Sequence, residues 1–278
     1  MIDWQRRPEA PVRVDCHIHL FPDKLFAAIR QWFERVGWEI RYPYRTQEVL
    51  ALLKGWGVEC AWALTYAHRP GIAEGVNAWL GELRRREPML RGFFSVHPED
   101  DNPAAVAERA LDLHGLDGLK LHAEVQQLAV DDARLDGVFD LMEERRKPCV
   151  LHTGDAPYPE TKPNLDVSCV RERLRRNPEL VAVIAHLGAF QTEQYLELTR
   201  DYPNLYLEVS FTNYPGVEPR KPFDYAILEP FADRLLFGSD FPNLTFSYAD
   251  QADAWWAFEW VRRDAEAFFG GRAKGILS

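Results

Sequence analysis

The chain has 278 residues, of which 46% are hydrophobic, enough to bury a large core as one α/β domain without staples or a partner. Its 33 basic against 43 acidic residues give a formal net charge of −10, which argues against a general nucleic-acid binder, because phosphate binding runs on clustered Lys and Arg that release counterions. The longest apolar run, 180–185, is far too short to cross a bilayer, so no membrane partner is expected either.

The N-terminal residues 1–9 are polar and lack the apolar core of a signal peptide. Cys16, Cys60, Cys149 and Cys169 show no C-x-x-C spacing, so a disulfide framework is not expected and a reducing cytoplasm is the simpler setting. Short β-branched and apolar runs then recur at 12–19, 58–66, 90–97, 116–122, 148–153, 180–187, 204–211 and 235–241, each followed by a helical pattern. Eight strands alternating with helices predict one (β/α)8 TIM barrel over 1–278 rather than an open doubly wound sheet.

Between the first two strands lies an insertion, 21–46, with a helical pattern over 23–36 and an aromatic, basic loop over 38–45. That loop reads as a cover for an active site. Asn102 before Pro103 is an N-cap signature, Gly115 closes the same helix, and Thr46 and Asp131 read as further N-caps. After residue 241 the sequence becomes Trp-rich and helical from Tyr248 onward, and Trp255, Trp256 and Trp260 read as packing residues on the barrel's outside.

Alternate side chains of a barrel strand share a face, and functional groups gather at the C-terminal strand ends. His17 and His19 share one face of the first strand, and Lys120 shares one with His122 in the fourth. His152, His186 and Asp240 fall at the predicted ends of strands five, six and eight. A His-x-His pair is a weak signal alone, and a lone strand-end His is more often a hydrogen-bonded structural residue than a ligand. The conjunction is different, because such a polar cluster without a metal or substrate would be costly. Imidazole and carboxylate donors suit zinc, manganese, iron or nickel. Glu208 and Ser210, of one parity on strand seven, are candidates to line the pocket, whereas His68, His97, Arg41 and Arg45 read at least as well as loop residues.

The segments Val14-Asp15-Cys16-His17-Ile18-His19, Leu119-Lys120-Leu121-His122, Val150-Leu151-His152-Thr153, Ile184-Ala185-His186-Leu187-Gly188 and Leu236-Phe237-Gly238-Ser239-Asp240-Phe241-Pro242 resemble the amidohydrolase superfamily. The branch they resemble is amidohydrolase-2, which also holds aminocarboxymuconate-semialdehyde decarboxylase and related aromatic-acid decarboxylases. The resemblance implies that His17, His19 and His152 bind a divalent metal, with Asp240 as ligand or general base. His186 would then activate water beside one ion, or hold a second. Zinc is the first expectation, with one ion favoured over two.

Lys120 bears on the metal count. Its segment resembles the fourth-strand Lys-Leu-Tyr-Pro of dihydroorotase-like members, where a carboxylated Lys bridges two metals, but His122-Ala123 replace Tyr-Pro here. An ammonium that binds a substrate carboxylate is the favoured alternative, with His122 contacting substrate or orienting Lys120. The expected activity is hydrolysis of a small carboxylated, cyclic, amide or lactone substrate by a metal-activated water, with Asp240 or His186 taking the proton. Non-oxidative decarboxylation of an aromatic or muconate-type acid is the rival, since the same residues serve both reactions. A metal-free lactonase and a silent binding barrel are more distant readings, and a homodimer is compatible with the sequence.

Overall fold

The computed structural model describes residues 3–154, 165–214 and 223–278. Eight strands follow one another in a single sheet in the order of the chain: β1 (Val14–His19), β2 (Cys60–Leu64), β3 (Leu90–Phe94), β4 (Gly118–His122), β5 (Cys149–His152), β6 (Ala182–Ile184), β7 (Leu205–Glu208) and β8 (Leu235–Leu236). Helices α1 (Asp23–Arg35) and α2 (Thr46–Trp56) precede β2, and α3 (Ala73–Arg86), α4 (Pro103–Asp112), α5 (Asp136–Glu144), α6 (Val167–Arg176) and α7 (Thr192–Asp201) separate the later strands. Three more, α8 (Tyr248–Trp256), α9 (Glu259–Arg263) and α10 (Arg272–Ile276), follow β8. This is the (β/α)8 barrel that the alternation of runs predicts. No described helix is long and apolar enough to cross a membrane.

The chain divides into two compact units, Met1–Ala61 with Val209–Gly275, and Trp62–Glu208 with Ile276–Ser278. In the second unit β3 to β7 pair in parallel, with His122 of β4 in register with His152 of β5, and Lys120 with Val150. Gly118 lets this sheet close up: a Cβ there would sit 2.5 Å from the Phe93 ring and 2.6 Å from the Pro148 carbonyl. Phe93 in turn stacks on the fully buried Trp62 at 4.7 Å.

In the first unit the segment after β8 runs beside β1. Cys16 N–H donates to the Phe237 carbonyl at 3.0 Å, Asp240 N–H to the His17 carbonyl at 2.8 Å, and His19 N–H to the Phe241 carbonyl at 2.8 Å. Beneath it lies an aromatic core in which Trp56 stacks on Tyr248 at 4.4 Å, and Trp255 packs on Trp260 and Phe268. The buried Trp255 and Trp260 are thus packing residues, as expected.

Local punctuation is partly as the sequence suggests. The Asn102 side chain accepts the Ala105 N–H at 3.0 Å and Pro103 opens α4. Thr46 is not a cap: Arg45 holds that position, and the Thr46 hydroxyl donates instead to the Phe21 carbonyl at 3.1 Å. Asp132, not Asp131, caps the short helix before α5 by accepting the Arg134 N–H at 2.9 Å. The strand ends differ more. β6 stops at Ile184, because His186 and Leu187 take left-handed φ values of 55° and 53° that no strand tolerates. β8 has only two residues, and Asp240, at φ 68°, lies past it. Neither His186 nor Asp240 therefore ends a strand; each sits in a turn a few residues beyond one.

Candidate metal centre and neighbouring histidines

In the first unit, β1 and the turn after β8 bring His17, His19 and Asp240 together. His17 Nε2 lies 3.2 Å from His19 Nε2, and Asp240 Oδ1 lies 2.9 Å from His19 Nε2 and 3.7 Å from His17 Nε2. His17 is fully buried, His19 nearly so, and the Asp240 side chain is 14% exposed. Two imidazole nitrogens and a carboxylate oxygen facing one another in a buried space repel unless protons or a cation sit between them. Donors spaced by about 3 Å are what an ion holding each at about 2.0–2.2 Å requires, so the set fits a divalent metal. The three donors lie within 4.8 Å of one another.

What holds these side chains is a buried carboxylate pin. Asp15 shares the face of His17 and His19 and is wholly buried. Its Oδ1 accepts the backbone N–H groups of His17 and Ser239, both at 3.1 Å, and its Oδ2 accepts the Ser239 hydroxyl at 2.6 Å. One carboxylate thereby fastens the end of β1 to the residue before Asp240. Burial pushes the Asp15 carboxyl up to about 7, while the Ser239 hydroxyl, the His17 N–H and the Tyr248 hydroxyl pull it the other way. The signal was present in the spacing, since Asp15, His17 and His19 alternate, but a buried acid beside two histidines is not distinguishable by sequence from a ligand. Ser210, a weak candidate from its parity, has its hydroxyl 3.4 Å from His17 Nδ1. An ion held by His17 Nε2 would put the imidazole proton on Nδ1, toward that hydroxyl.

The loop 38–45 is laced to the segment after Asp240. Trp38 Nε1 donates to the Asn243 carbonyl at 2.9 Å, Arg41 N–H to the Leu244 carbonyl at 3.3 Å, and Tyr248 N–H to the Tyr42 hydroxyl at 2.8 Å. Arg41 and Arg45 form exposed pairs with Glu39 and Glu48 and behave as surface residues.

The second unit carries its own cluster at the ends of β4, β5 and β6. The His122 and His152 rings stack with centroids 3.8 Å apart and planes 14° from parallel, and Tyr66 meets His122 edge-on at 5.3 Å. His152 Nδ1 lies 3.1 Å from His186 Nε2. His186 is positioned by its backbone, whose N–H donates to Glu208 Oε1 at 2.8 Å, and its Nδ1 is 3.9 Å from the same oxygen. Lys120 is fully buried two residues before His122. Gln126 fixes the end of β4, accepting the His122 N–H at 2.7 Å while donating to the Val96 carbonyl at 2.7 Å. It went unnoticed in the sequence because a Gln four residues past a strand end carries no chemical signature.

The family profile described as Amidohydrolase matches residues 14–273. Among curated proteins none matches the chain. Of the solved structures, an uncharacterized TIM-barrel protein from Bordetella bronchiseptica is 19% identical, with a TM-score of 0.69, over 95% of this chain and 98% of that one. A 5-carboxyvanillate decarboxylase from Novosphingobium aromaticivorans, complexed with manganese and 4-hydroxy-3-methoxy-5-nitrobenzoic acid, is 14% identical with a TM-score of 0.66, over 100% and 99% of the two chains. A 4-oxalomesaconate hydratase from Rhodopseudomonas palustris is 14% identical with a TM-score of 0.63, over 95% of each. At these identities the structural likeness establishes the fold, and the profile match along nearly the whole length establishes the kinship: the chain belongs to the amidohydrolase family.

Proposed function

We propose that the chain is one catalytic domain, a metal-dependent hydrolase of a small carboxylated, cyclic, amide or lactone substrate. The observation that carries this reading is the buried triangle of His17 Nε2, His19 Nε2 and Asp240 Oδ1, with separations of 2.9 to 3.7 Å. These three would hold a divalent ion, zinc by first expectation, although the same donors accept manganese. Such an ion, when bound, lowers the pKa of water from about 15.7 to about 7 and polarises a substrate oxygen. By the barrel rule that catalytic groups gather at the C-terminal strand ends, His152 is assigned as a further ligand and His186 as a proton acceptor alongside Asp240. Lys120, kept as an ammonium, would pair with a substrate carboxylate, and His122, stacked on His152, would orient it. The four cysteines are buried thiols, which suits a reducing compartment such as the cytoplasm.

Decarboxylation is the second reading, and the similarity to a 5-carboxyvanillate decarboxylase favours it. In that case Asp240 and His186 would deliver a proton to the carbon that loses CO2, rather than take one from water. Incubating the metal-loaded protein in 18O-labelled water with separate panels of lactones, cyclic amides and aromatic carboxylates separates the two. Hydrolysis places 18O in the product and releases no CO2; decarboxylation releases CO2 with no net addition of water. Turnover that survives exhaustive chelation, or that survives Asp240→Asn, would overturn the metal-dependent reading.

A further inference from the structure

Asp240 takes part in more than the histidine contacts. Its Oδ1, the oxygen nearest His19 Nε2, also accepts a hydrogen bond from Asn243 Nδ2 at 3.1 Å. Its backbone N–H donates to the His17 carbonyl at 2.8 Å, and its own carbonyl accepts the Asn243 N–H at 2.9 Å. Asn243 is itself buried, and its amide oxygen accepts the Tyr44 hydroxyl, while its carbonyl accepts the Trp38 indole N–H at 2.9 Å. Tyr44, buried as well, stands on the loop inserted between β1 and β2, where its ring packs on Phe26 at 4.5 Å.

The chemistry of the chain fixes its direction. An ionised carboxylate only accepts, so the group that Asn243 turns toward Asp240 is its NH2. The amide oxygen is then turned to Tyr44, whose hydroxyl must donate. The carboxylate thus sets the direction of the amide, the Tyr44 hydroxyl holds the amide there, and the amide NH2 in turn fixes Asp240 Oδ1.

We propose that Asn243 is a positioning residue for Asp240 as a metal ligand, and that Tyr44 of the inserted loop is the residue that orients Asn243. The inserted loop then tunes ion affinity through Asn243. This rests on the reading that His17, His19 and Asp240 hold the ion. Outer groups that hydrogen-bond a ligating carboxylate change metal affinity by about 10- to 100-fold when removed.

The test is Mn2+ binding to metal-free protein, with free ion read from its EPR signal, for the wild type, Asp240→Asn, Asn243→Ala and Tyr44→Phe. The thermal midpoint of each metal-free variant is taken alongside. Asn243→Ala should weaken Mn2+ binding by about 10-fold or more, and Tyr44→Phe should weaken it in the same direction by less, with both metal-free proteins melting close to the wild type. If Asp240→Asn weakens binding while Asn243→Ala and Tyr44→Phe bind as the wild type does, the positioning role is overturned and the metal reading stands. If Asp240→Asn also binds as the wild type does, the metal reading fails and the positioning role falls with it. Should Asn243→Ala not fold, Tyr44→Phe, which removes one hydroxyl and keeps the ring, decides the matter alone.

Discussion

Glu208 Oε1 accepts the backbone N–H of His186 at 2.8 Å, so the last residue of β7 fixes the turn after β6 in which His186 sits. Glu208 is fully buried. Glu208→Ala would leave that N–H without its acceptor, at a cost of about 1–3 kcal/mol. Glu208→Gln keeps an oxygen in place and should cost less. Urea denaturation of the two variants checks the order; an unchanged midpoint in Glu208→Ala would show that the bond does not hold the turn.

Gly188 is the second constraint on the same turn. It has a φ of 78°, and a Cβ built on it would lie 2.0 Å from the Tyr195 ring, which is fully buried with its hydroxyl bonded to that of Thr153. Gly188→Ala combines left-handed strain with overpacking, and the expected loss is about 2–4 kcal/mol. Thermal unfolding measures it. A midpoint within a degree of the wild type would mean that Tyr195 yields freely.

Much of the barrel could be read because eight apolar runs alternate with helical pattern, and burial imposes that pattern everywhere. His17, His19, His122 and His152 could be placed for the same reason: each lies in a regular strand, where parity fixes direction. His186 and Asp240 stand out in the sequence as residues but not as turn residues, since left-handed turns at non-glycine positions leave no mark on composition. Thr46 and Asp131 failed as caps because several nearby polar side chains could fill the role and tertiary partners chose among them. Asp15, Gln126 and Asn243 act through hydrogen bonds to groups distant in sequence or to backbone, which only the folded chain reveals.

His97 supplies a pH dependence. Burial holds its imidazole below the ordinary value, against the opposing pull of the Asp100 and Glu99 carboxylates, and its Nδ1 accepts the Glu99 N–H at 3.2 Å, a bond only the unprotonated nitrogen can make. The unfolded chain, with an ordinary value near 6.5, takes up the proton first as the pH falls. The stability that His97 contributes is therefore full above about 6.5 and is lost as the pH drops below it. Between neutral pH and about one unit below 6.5, the melting midpoint of the wild type should fall relative to that of His97→Gln. Midpoints of the two proteins that move in parallel would show that His97 contributes no pH dependence.

The metal content of the purified protein, measured by mass spectrometry of the elements on the wild type and on His17→Ala/His19→Ala, tests the central claim most directly. The expected result is about one divalent ion per wild-type chain and close to none in the double variant, with the circular dichroism of the two alike. Two ions per chain would keep the centre but give Lys120 the bridging role in place of the ammonium. A wild type without metal after growth in metal-replete medium, or a double variant that retains a full equivalent, would contradict the assignment of His17, His19 and Asp240 as the metal centre.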